Sequence, residues 1–151
     1  MKCCRPEVLR ACPGLRVETR ALALCERLQR DIVGTTGLTA SFGLGPTRLL
    51  AKMSSEENKP EGVFRLMPGD APEFFQGRSL REIPGIGPAT ATAMQEWGVQ
   101  TVDDAYEMGE LALARMVGPR FASWLMAVVE ERTSDDVSVL RSRKSIGKET
   151  T

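Results

Sequence analysis

The stretch Ile83-Pro84-Gly85-Ile86-Gly87-Pro88 points to phosphate recognition. A proline and two glycines around one apolar residue make a tight turn, and glycine has no Cβ to keep an approaching group off the backbone N–H groups. The turn runs into Ala89 to Trp97, a helical segment that stops at Gly98-Val99. The first N–H groups of such a helix have no intrahelical acceptor and sit at the positive end of its dipole, which suits a phosphate. Val117-Gly118-Pro119-Arg120 is a second, less specific turn of this kind. A third phosphate-binding candidate is the basic strip Arg141-Ser142-Arg143-Lys144-Ser145-Ile146-Gly147-Lys148. The chain carries 20 basic and 20 acidic residues, for zero net charge. Its affinity for a polyanion must therefore be local, as a basic strip on a neutral molecule can be.

The first turn resembles the hairpin of the helix-hairpin-helix DNA-binding motif, with Leu80-Arg81-Glu82-Ile83 as the end of the first helix and Ala89 to Trp97 as the second. Contacts of this kind go to the sugar-phosphate backbone and carry no base sequence. Gly-x-Gly before a helix also serves turns that only need positive φ, so the elements on either side decide the reading.

At 151 residues and 42% hydrophobic the chain can bury one ordinary core or two small ones. No run of about 18 apolar residues is present to span a membrane, and the N-terminus lacks the apolar segment of a secretory signal, so a cytoplasmic protein is expected. Cys3, Cys4, Cys12 and Cys25, with no histidine, have neither zinc-site spacing nor the pattern of a secreted disulfide scaffold. No metal site is expected.

Residues 1–20 read as an irregular leader with a short helix at Glu7 to Ala11. Ala21, Leu24, Cys25, Leu28 and Ile32 recur at helical spacing until Gly34. Leu38 to Leu44 reads as a strand, Pro46 starts a helix with Leu49, Leu50 and Met53 on one face, and Val63 to Leu66 is a short strand. A brief helix through Phe74-Phe75 precedes the hairpin. Short helices follow at Val102 to Tyr106, capped by Thr101, at Leu111 to Met116 and at Phe121 to Glu131. Trp97 and Trp124 fall at helical spacing and are expected in the core.

The order of these pieces resembles the Y-family translesion DNA polymerases. Ser41-Phe42-Gly43 followed by Leu50-Ala51-Lys52 and Lys59-Pro60-Glu61-Gly62 is similar to the end of their palm domain. Pro84-Gly85-Ile86-Gly87 is similar to their thumb hairpin, and Lys144-Ser145-Ile146-Gly147 to the hand-over to their little-finger domain. The resemblance covers roughly Ala21 to Thr150 and implies an α+β fold. Residues 21–69 would be a truncated palm remnant of helix, strand, helix and strand, and 70–132 an all-helical thumb. Residues 133–151 would form a basic linker.

The resemblance also implies roles. Lys59 would contact the incoming nucleotide triphosphate, with Lys52 near the same phosphates or facing solvent. Gly85, Ile86 and Gly87 would bring N–H groups to primer phosphates, with Pro88, Ala89 and Thr90 starting the helix. Lys144, Ser145 and Lys148 would lie along the DNA backbone. Primer-template DNA is the expected partner, with the sliding clamp or the other polymerase domains as further ones.

Polymerases of this family align two magnesium ions on palm carboxylates. The family's early aspartate and its Ser-x-Asp-Glu motif have no counterpart here: the stretch ahead of the first helix is Cys3-Cys4-Arg5-Pro6-Glu7-Val8-Leu9-Arg10, and Glu18 and Asp31 are isolated acids. No catalytic residue is assigned, and Mg2+ is expected only in the complete enzyme. The expectation is a DNA-binding fragment or degenerate member, inactive as a polymerase by itself. The alternatives are a segment of an active polymerase completed by upstream sequence, or a protein-interaction module in which acidic helices around Asp103-Asp104 and Glu130-Glu131 meet a basic partner.

Overall fold

Alternating helix and strand near the start of the chain, then helices alone, give an α+β molecule with two layers of different make-up. The structure, a computed structural model, describes residues 17–133. Residues 1–16 of the expected leader, with its helix at Glu7 to Ala11, lie outside them, whereas Val17 to Arg20 are helical rather than irregular; the basic strip from Arg141 to Lys148, with Lys144, Ser145 and Lys148, also lies outside.

The sheet layer holds α1 (Val17–Thr36), β1 (Phe42–Leu44), α2 (Arg48–Glu57) and β2 (Val63–Arg65). The two strands pair in parallel, Phe42 opposite Val63 and Leu44 opposite Arg65, with α2 as the crossover between them. Gly43 lets that helix approach: a Cβ there would stand 2.1 Å from the Ala51 carbonyl oxygen. The Thr47 hydroxyl caps α2 by accepting the Leu50 N–H at 3.2 Å. The helix therefore starts at Arg48, after Pro46 rather than at it. α1 runs two residues past Gly34, where Thr35 and Thr36 hydroxyls donate back to the Asp31 and Ile32 carbonyls. β1 is shorter than the expected Leu38 to Leu44, because only Phe42 to Leu44 finds a partner strand.

The helical unit holds α3 (Ala71–Phe75), a 3-10 turn (Leu80–Glu82), α4 (Pro88–Glu96), α5 (Val102–Met108), α6 (Glu110–Val117) and α7 (Pro119–Val129). The residues expected to end a first helix before the hairpin form that single 3-10 turn, capped by the Ser79 hydroxyl. α6 and α7 pack against each other, with α3 and α5 on α7 and α4 on α6. Thr101 and Asp104 make the capping box of α5. The backbone N–H groups of Thr101 and then Gln100, at 2.8 and 2.9 Å, hold the Asp104 carboxyl below its ordinary value.

One continuous core runs from Leu50 and Met53 on α2 through Phe75, Leu80, Ile83, Met94, Leu113 and Leu125. Trp124 packs against it from the edge, but Trp97 is 68% exposed, against expectation. The reason is the end of α4. Gly98 takes φ +81°, its N–H donates to Gln95, and the Val99 N–H returns to the Met94 carbonyl at 3.0 Å. That Schellman closure puts Val99, not Trp97, into the core.

Candidate nucleic-acid interface

The turn from Ile83 to Pro88 is anchored by apolar side chains and leaves polar backbone uncovered. Ile83 and Ile86 are buried, and the Ile86 N–H donates to the Ile83 carbonyl at 3.0 Å. Ile86 thus holds the turn closed, and its N–H is already engaged. Gly85 and Gly87, on either side, are exposed.

The two glycines differ in what requires them. Gly85 has φ +108°, a conformation costly to any residue with a Cβ, and a Cβ there would stand 3.2 Å from the Trp124 ring. Gly87 has the ordinary extended values φ −80° and ψ 165°, and a Cβ on it would meet nothing within 4 Å among the described residues. The fold needs Gly85 as glycine. It does not need Gly87, whose open side faces solvent at the N-cap of α4.

Neither glycine N–H reaches an acceptor among the described residues. Pro88 opens α4 without an N–H, and those of Ala89 and Thr90 fall in the first helical turn, which has no intrahelical acceptor. Gly85, Gly87, Ala89 and Thr90 thus offer four donors, with the α4 dipole behind them. An anion with several oxygens suits such a set.

The lysines lie apart from one another in their contacts. Lys52, exposed on α2, lines two crevices that both include Pro84: one of about 270 Å³ with Glu56, Glu57, Arg78 and Glu82, the other of about 330 Å³ with Arg48, Trp124 and Val128. Lys52 therefore stands beside the turn. Lys59, after α2, pairs with Glu56 at 2.5 Å, and both are more than half exposed. Such a pair yields readily to a stronger anion.

Two features are not visible in the local sequence pattern. Glu131, with φ 54°, turns its carboxylate back to accept the Gly69 and Ala71 N–H groups at 2.8 and 2.9 Å. Arg78 reaches from the helical unit to Glu57 at the end of α2. Spacing signals only local contacts, and both of these are long-range.

Among the described residues no three acidic, cysteine or histidine side chains gather to hold a metal ion. Asp31 is exposed and pairs with Arg27 along α1. The donor set that two magnesium ions need does not fit these residues. No described helix is long and apolar enough to cross a membrane.

Residues 8–56 match the impB/mucB/samB family. DNA polymerase IV of Shewanella oneidensis is 39% identical over 131 residues, which cover 87% of this chain and 36% of that protein. DNA polymerase IV of Shewanella baltica strain OS155 is 41% identical over 133 residues, with the same coverage. Among solved structures, a Dbh–Dpo4 chimera of Y-family DNA polymerase superposes with a TM-score of 0.73 at 26% identity, covering 83% of this chain and 36% of its own. An insertion ternary complex of Dbh DNA polymerase gives 0.70 at 25% identity, over 79% of this chain and 35% of its own. The chain spans about a third of the length of the curated relatives it matches.

Proposed function

We propose, from the premise that this chain belongs to the Y family of DNA polymerases as a partial member, that it holds primer-template DNA by its sugar-phosphate backbone during lesion bypass in the cytoplasm. The observation that carries this reading is the open donor set at Gly85, Gly87, Ala89 and Thr90. The turn works as a helix-hairpin-helix, with the 3-10 turn standing in for a first helix. Residues 21–69 act as the end of a palm and 70–132 as a thumb.

In this role Gly87 is glycine so that a phosphate oxygen can come close to the backbone, since nothing among the described residues requires it there. Lys52 adds a positive charge beside the turn, and Lys59 serves the triphosphate of an incoming nucleotide once it leaves Glu56. Lys144, Ser145 and Lys148 continue the backbone contacts. The role assigned to this chain is holding. No chemical step is assigned to its residues, and the polymerase reaction belongs to a complete enzyme with its own carboxylates and Mg2+.

Fluorescence anisotropy on a primer-template duplex over a salt series tests this, with Gly87→Val beside the parent. Binding in the parent should weaken with salt at a slope of about −0.9 per phosphate neutralised and show little sequence preference. Gly87→Val should bind about tenfold or more weakly with its melting temperature unchanged, because its backbone already sits where valine is at home. Equal binding by the two proteins would refute the reading.

A further inference from the structure

Arg78 stands where the helical unit meets the sheet layer. Its Nη1 lies 2.8 Å from Glu57 Oε1 on α2 and 3.4 Å from Glu82 Oε2 in the 3-10 turn. Its Nε donates to the Phe74 carbonyl at 2.6 Å, and the guanidinium carbon sits 3.9 Å from the centre of the Phe74 ring. The side chain is 22% exposed and that of Glu57 27%, so the pair is shielded from most of the solvent. One planar fork thus meets a carbonyl, an aromatic face and carboxylates from both layers. A lysine, with a single ammonium, cannot serve that set at once.

The contacts tie together the pieces that the DNA-holding role needs in fixed relation. Glu82 directly precedes the turn that offers the N–H donors, and Glu57 ends the helix that carries Lys52. Arg78, Glu57 and Glu82 also line the crevice between Lys52 and Pro84. We infer that Arg78 is a positioning residue: its fork fixes the Ile83–Pro88 turn against the end of α2, so that the turn's donors and the α2 lysine meet one duplex in one register. The inference rests on the DNA-holding reading above. Two contact sets held rigidly act as one multivalent site, and a loose connection between them lowers the effective concentration of the second.

Arg78→Lys and Glu57→Ala in the full chain test it. Arg78→Lys keeps the charge and loses the fork. Glu57→Ala removes an acid beside a polyanion, so charge alone would tighten DNA binding. The inference requires the opposite sign: both variants should bind the duplex about tenfold more weakly, with a salt slope smaller in magnitude by about 0.9 as one phosphate contact is lost. NMR residual dipolar couplings give a readout without DNA. Couplings from residues 79–90 should fit the alignment of residues 42–57 in the parent and depart from it in each variant, while the rest of the helical unit keeps that alignment through the core it shares with α2. Glu57→Ala that keeps one alignment, or binds DNA as tightly as the parent or more so, overturns the inference. A parent that does not bind, or Gly87→Val that binds like it, overturns the DNA-holding reading instead, and the couplings still decide whether Arg78 fixes the turn against α2.

Discussion

In the helical unit Phe75, Leu80, Ile83, Met94, Leu113 and Leu125 are almost wholly removed from solvent, whereas Phe42, Leu44, Val63 and Phe64 on the strands, and Leu24, Leu28 and Ile32 on α1, are only half-buried. Composition does not explain the contrast, since both regions are rich in branched apolar residues. Enclosure does. Five α-helices and a 3-10 turn surround one interior in the helical unit, while two three-residue strands give α1 little to cover. α2 belongs to both regions, because Leu50 and Met53 enter the common core. The sheet layer is therefore held largely through α2, and the hairpin is set in the better enclosed part of the molecule.

Three changes bear on this contrast. The largest effect is expected from Phe75→Ala, about 4 kcal/mol of stability in urea unfolding, against about 1 kcal/mol for the half-buried Leu28→Ala. Similar losses at the two sites would break the comparison. If α2 unites the layers, circular dichroism and Trp124 fluorescence should report a single transition in both variants. Gly43→Ala comes next, at about 2 to 3 kcal/mol, because its Cβ would stand 2.1 Å from the Ala51 carbonyl oxygen and push α2 away from β1. A wild-type midpoint would show that α2 is not seated on the strand.

The smallest effect is electrostatic and confined to the helical unit. The Asp104 carboxyl is held below its ordinary value of 3.8 by the Thr101 and Gln100 N–H groups. A carboxylate that ionises more readily when folded stabilises the protein above the unfolded value, and that contribution is lost as the pH falls through the folded one. The melting temperature of the parent should therefore exceed that of Asp104→Asn at pH 7, and the gap should close below about pH 4. A gap that widens in acid would show that the capping box does not form.

The elements were legible where local chemistry set them. The glycines around Ile86, the threonine before Val102 and the apolar spacing of α2 each fixed an element to within a residue or two. The misplaced residue, Trp97, shows how periodicity fails at a helix end, where the backbone reversal at Gly98 hands the interior position to Val99. The sequence also singled out both hairpin glycines without separating their causes. Only coordinates show that Gly85 is demanded by the fold and that Gly87 is not. The bridges made by Arg78 and Glu131 join residues far apart in the chain, for which no periodic signal exists.

The Glu131 carboxylate has a consequence for the shape of the chain's path. By accepting the Gly69 and Ala71 N–H groups it brings the last residues of the helical unit back to its first. A segment that leaves where it entered is a closed excursion from the main chain, and its two ends, held side by side at Gly69 and Glu131, are a place where the chain could be rejoined and re-opened elsewhere on its perimeter while α2 stays seated on the shared core.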